Sequence, residues 1–224
     1  MLRAIISTGL LAGLIAGLFV TFAQLVRVTP LILEAETYEV AAAVSGDGHT
    51  HEAWSPADGI ERTLFTALAN IIGGIGFALL LVAIFAFRGA STDFRSGINW
   101  GLAGFAAFTL APALGLPPEL PGTDTADLLA RQTWWLGTVV ATGTGLALAL
   151  LQQQRWVQIS GVLLITIPHL IGAPHPSTAL SIVPAELAAQ FAVASLFTAG
   201  LFWVVLGGLC GHFYARFVES TALT

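Results

Sequence analysis

Residues 63–87 read TLFTALANIIGGIGFALLLVAIFAF, an unbroken stretch without one charged side chain. A helix needs about 20 apolar residues to cross hydrocarbon, and this run exceeds that length. Five further apolar runs surround it, at roughly 4–26, 97–114, 132–152, 156–172 and 186–213. The expected fold is therefore all-α: a polytopic membrane helix bundle of about six spans, forming a single transmembrane domain over residues 1–224. The fifth run is the shortest and ends at Pro168. If it were re-entrant, the count would fall to five spans and the carboxyl terminus would change sides. The first run follows Arg3 as a secretory signal would, but its apolar stretch is longer than the roughly 7–15 residues of such a segment, so it reads as a retained span.

Composition supports a membrane setting. Of 224 residues, 56% are hydrophobic and 9% charged, against about 25% charged in an ordinary soluble domain. All eight basic residues are arginines, and the net charge of -5 provides no basic footprint for nucleic acid. The single cysteine, Cys210, lies in an apolar run and leaves neither an intrachain disulfide nor a cysteine zinc site available.

With six spans, Arg3, Arg88, Arg95, Arg155 and Arg216 fall on one side and Arg27, Arg62 and Arg131 on the other. The positive-inside rule makes the first side cytoplasmic and places both termini there, as in a multi-pass protein of the bacterial inner membrane. The outer side then carries Glu34, Glu36, Glu39, Asp47, Glu52, Asp58, Glu61, Glu119, Asp124, Asp127 and Glu186. Eleven carboxylates against three arginines leave that face near -8, which attracts cations and repels anionic solutes.

The outer connections hold the candidate ligands. A long loop at about 27–62 contains Asp47, His49, His51 and Glu52, an N/O set suited to cobalt, nickel, copper or zinc. A solvated polar loop would have the same composition. Two proline-rich corners follow, Pro112 to Gly122 around Glu119, and Pro168-His169 to Pro176. His169 is a titratable group at the bilayer edge beside a helix break, a functional candidate by position, although a histidine there also suits the last carbonyls of a helix. Glu186 fits either a ligand role or a dipole-matching acid in a first helical turn. Pro30 with Glu34, Pro112 with Glu119 and Pro168 with Glu186 form a faint threefold pattern. Three parallel hairpins would bring Glu34, Glu119, His169 and Glu186 to one outer mouth; proline and acids at ordinary helix corners explain the pattern more simply. Trp100, Trp134, Trp135 and Trp156 near span ends read as interface anchors.

The runs Leu33-Glu34-Ala35-Glu36, Gly48-His49-Thr50-His51, Asp58-Gly59-Ile60-Glu61-Arg62, Gly115 to Gly122, Arg131-Gln132-Thr133-Trp134-Trp135 and Pro168 to Pro174 together resemble the CbtA family of cobalt transporter subunits from end to end. The resemblance implies a membrane component of a cobalt uptake system working beside a small one-span, histidine-bearing partner (CbtB). Only two histidines, at 49 and 51, stand where that family suggests richer tracts.

The combined expectation is a transporter rather than an enzyme, with no catalytic residues and no permanently bound cofactor. Its cargo is Co2+, with Ni2+ or Zn2+ as other metals the ligand types fit. Asp47, His49, His51 and Glu52 exchange the ion loosely, while Glu34, Glu119, His169 and Glu186 receive it. Arg131 serves as a counter-ion. No P-loop or other nucleotide signature is present. Two other classes fit the same residues: a non-transporting scaffold subunit, and a membrane-embedded enzyme or metal-cofactor protein.

Overall fold

A computed structural model describes residues 1–44, 56–89, 92–176 and 181–222. The cores of all six apolar runs are helical. In chain order the elements are α1 (Leu2–Arg27), α2 (Thr29–Val44), α3 (Ile60–Arg88), α4 (Phe94–Phe105), a π-helical turn (Ala106–Leu110), α5 (Ala111–Ala113), α6 (Leu128–Leu151), α7 (Arg155–Ile171) and α8 (Ala185–Ala222). By length and apolarity, Leu2–Arg27, Ile60–Arg88, Leu128–Leu151 and Ala185–Val218 can each cross a membrane, while Arg155–Ile171 is a shorter apolar helix. Leu14 and Leu18 on α1, Leu68 and Ile72 on α3, and Val140 on α6 are exposed. A helix that exposes such side chains along a membrane-length run is solvated by lipid.

The structure shifts the sequence-based boundaries in three places. The sequence predicts loop after Arg27, yet residues 29–44 form α2 with only Val28 between it and α1. Pro30 sits in the first turn of α2, where a missing N–H costs no hydrogen bond, so this proline starts a helix. The fifth run does not end at Pro168. α7 continues to Ile171 and stops at Gly172, whose φ of 87° is left-handed backbone that favours glycine. The third run is helical as far as Ala113 but widens at Ala106–Leu110. Pro112 explains the widening, because its ring clashes with the carbonyl four residues earlier, at Phe108.

The chain divides into two compact units, one from residues 1–29, 49–102 and 197–224, the other from 30–48 and 103–196. In the first, α1 packs on α3 with backbones in contact: a Cβ on Gly13 would strike Gly74 and Ile75, and one on Gly74 would come within 2.6 Å of the Gly13 carbonyl oxygen. Asn70 fastens the same pair by donating to Gln24 Oε1 (2.7 Å) and Thr21 Oγ1 (3.1 Å). Gly97 and Gly101 of α4 meet Gly207 of α8 in the same manner. Phe85, fully buried, lies edge-on to Trp100 and Tyr214. Asp93 begins α4 as a cap: its Oδ1 accepts from Ser96 N at 2.7 Å, and its own N–H donates to Ser96 Oγ at 2.9 Å.

In the second unit, α6 and α7 form a hairpin closed by the Gly145–Gly161 contact. Asp127 caps α6 by accepting from Ala130 N at 2.9 Å. Thr123 and Ser181 form an isolated antiparallel bridge between the two long corners.

Candidate functional site

The second unit contains an open groove of about 730 Å3. Its wall comes from the π-helical turn (Phe108, Thr109) and the proline corner that follows, and its other side from the start of α6 (Leu128, Arg131, Gln132, Trp135). The sequence accounts for this shape. Pro117, Pro118 and Pro121 keep the corner extended, and Asp127 fixes where α6 begins. A π-helical turn inside an α-helical stretch is frequently found at a functional site.

Glu119 and Arg131 face each other in the groove. Arg131 Nη2 donates to Glu119 Oε2 at 2.6 Å, with 29% of the arginine and 27% of the glutamate side chain exposed. The guanidinium is only partly satisfied, since its buried Nε has no hydrogen-bond partner among the described residues. Thr109, Thr123, Thr125 and Gln132 also line the groove, so its polar donors to a cation are oxygens.

His169 lies on α7 beside α6 of the same unit. Its ring is edge-on to Trp134, with centroids 6.0 Å apart, and Trp134 Nε1 donates to the Pro168 carbonyl at 3.2 Å. His169 Nε2 is buried and has no hydrogen-bond partner among the described residues. His169 stands in the last turn of α7, which Gly172 closes through its N–H to Pro168 O.

The remaining sequence candidates are distributed differently. Glu34 is exposed on α2. Glu186 is exposed in the first turn of α8, where its Oε1 accepts from Gln190 Nε2 at 3.3 Å. Asp47, His49, His51 and Glu52 lie outside the described residues. Among the described residues, no three histidine, cysteine, aspartate or glutamate side chains gather closely enough to hold a metal ion. Glu34, Glu119, His169 and Glu186 all belong to the second unit without forming such a group. Sequence reading missed the π-helical turn, the Trp134–Pro168 bond and the groove-lining threonines. Pro112 is the available signal for the first; the partners in the second are 34 residues apart and share no pattern.

These features define a polytopic α-helical membrane protein whose half-buried ion pair faces an open groove. The chain belongs to the CbtA family, described as "Probable cobalt transporter subunit (CbtA)", whose model matches residues 2–215. No curated protein and no solved structure matches it. Family membership agrees with the resemblance drawn from the sequence and makes the chain a transport protein of the membrane, with cobalt as the family's cargo.

Proposed function

We propose that this chain captures Co2+ on an acidic outer face and passes it through its helix bundle, as the larger subunit of a cobalt uptake system in the bacterial inner membrane. The observation that carries the reading is the family match across residues 2–215. Support from the second unit is local: Glu119 is half-buried in a groove and paired with Arg131. In this reading both termini are cytoplasmic, and a small one-span, histidine-bearing subunit is the partner. The segment with Asp47, His49, His51 and Glu52 gathers the ion loosely, and Glu34, Glu119, His169 and Glu186 lie along its path. A divalent cation moving inward gains about 4.6 kcal/mol per 100 mV of negative-inside potential, because each charge contributes ~2.3 kcal/mol. That gradient accumulates the ion without ATP and without an enzymatic step.

The close glycine packing of the first unit, with no three-residue metal group among the described residues, favours a second reading as a scaffold for another permease. One experiment separates the two. Sealed proteoliposomes with an imposed potential, containing the purified chain with or without the one-span partner, are assayed for uptake of radioactive Co2+. Saturable uptake lost in Glu119→Gln or His169→Ala supports a path through the second unit. Loss confined to His49→Ala/His51→Ala moves capture to the 45–55 segment. Correctly inserted protein that transports nothing in any combination leaves the scaffold reading.

A further inference from the structure

We infer that Arg131 is a displaceable internal cation that occupies Glu119 until a divalent ion takes its place. This rests on the reading of the second unit as a cation path, and it adds the step that controls access to it.

The contact is close but incomplete. One Nη2–Oε2 bond of 2.6 Å joins the pair, while Nε of the same guanidinium is buried without a partner among the described residues. An arginine–carboxylate pair frequently uses the planar fork in two parallel bonds. Here a buried donor is left unsatisfied, and the pair is held below its bonding capacity beside an open groove of about 730 Å3. Removing one partner from a half-buried pair without replacement would strand a charge, whereas exchanging one cation for another keeps Glu119 neutralised.

The neighbouring residues suit that exchange. Gln132 and the threonines at 109, 123 and 125 supply neutral oxygens along the groove, the donor type that holds a partly hydrated divalent cation beside one carboxylate. Asp127, the N-cap of α6, stands four residues before Arg131; its Oδ1 accepts from Ala130 N, which leaves Oδ2 to meet a cation. A guanidinium released from Glu119 can swing to Asp127, so no charge is left alone. The widened turn at Ala106–Leu110, with Phe108 and Thr109 on the groove wall, gives the backbone local slack as the site fills. With no imidazole or thiolate among the lining residues, this step admits divalent cations in general, and selection for cobalt falls to other residues.

The test uses the full chain in nanodiscs, with Co2+ as the probe. Equilibrium binding is measured for wild type, Arg131→Gln, Arg131→Lys, Glu119→Gln and the Glu119→Gln/Arg131→Gln double variant. Arg131→Gln should tighten Co2+ by about tenfold, within the usual span of coupling between two sites. Arg131→Lys, which keeps the charge, should stay near wild type. Glu119→Gln should abolish this binding whether or not Arg131 is present. Because a variant can fail to fold, wild type is also treated with phenylglyoxal and modification is mapped by mass spectrometry: Co2+ should raise the reactivity of Arg131. Weaker binding in Arg131→Gln, or an Arg131 that Co2+ protects or leaves unchanged, overturns the exchange. Proteoliposome uptake keeps the two failures distinct. Transport that persists in Glu119→Gln removes the exchange and leaves the transporter reading, whereas the predicted binding order without transport removes autonomous transport and leaves the exchange.

Discussion

The two units share one packing device and differ at their corners. The first brings helices together by deleting side chains, as where Gly13 meets Gly74 and Gly97 meets Gly207, so backbone lies on backbone. The second has such a contact at Gly145 and Gly161, but uses prolines, caps and an ion pair at its corners and leaves a groove open between the 106–123 stretch and the start of α6. Close backbone contact gains dispersion energy that lipid cannot match and leaves little freedom to move. Polar corners cost more to assemble but can exchange partners. Added bulk is therefore resisted at the first unit's glycine contacts, while a balanced exchange of charge is tolerated at the second unit's corner.

The strongest test of that contrast is a pair of neighbouring glycines. Gly74→Leu would drive a side chain into the Gly13 backbone, so the protein should lose its monodisperse peak in detergent, an overpacking cost of about 3 kcal/mol or more. At Gly73 a Cβ meets nothing within 4 Å, so Gly73→Leu should leave the peak and melting temperature unchanged. Equal effects at both positions would erase the distinction between packed and open faces. In the second unit, Glu119→Gln should lower stability by about 1–2 kcal/mol because Arg131 loses its counter-ion while half-buried, and adding Arg131→Gln should recover most of the loss in thermal melts.

A smaller effect belongs to Asn70→Ala. The two side-chain bonds it removes between α1 and α3 should cost about 0.6 kcal/mol each, the average for interhelical bonds in membranes. A loss as large as that of Gly74→Leu would show that the first unit depends on polar glue after all. The smallest effect is at Asp93, outside the spans, whose carboxyl is held below its ordinary 3.8 chiefly by the hydrogen bond from Ser96 N–H. A lowered folded pKa means that the cap contributes at neutral pH and is lost as pH falls through that value. Asp93→Asn should therefore flatten the acid limb of the stability curve below about pH 4 and change little at pH 7.

Much of the helix pattern was legible because hydrocarbon imposes a length on each apolar run. The errors all involved proline. Pro30, Pro112 and Pro168 look alike in sequence, yet one opens a helix, one widens a helix and one lies within a final turn. Which outcome occurs depends on whether the missing N–H had a partner to lose, and that is decided by register. Glu119 stood out between its prolines, and Arg131 was marked as a counter-ion. Their pairing was not legible, because the 12 positions that separate them include an irregular corner with no fixed period. The first unit's glycine contacts join partners that no sequence period connects, as Gly13 with Gly74 and Gly97 with Gly207.

The wide turn at Ala106–Leu110 also changes what a small genetic lesion does. In a regular spanning helix, losing one codon rotates every later side chain by about 100°, turning lipid-facing residues inward. A wide turn already contains one residue more than a regular helical path needs. Losing one codon there restores the ordinary spiral and leaves the flanks in phase, so an in-frame single deletion at 106–110 can erase the groove wall without scrambling the rest of the span.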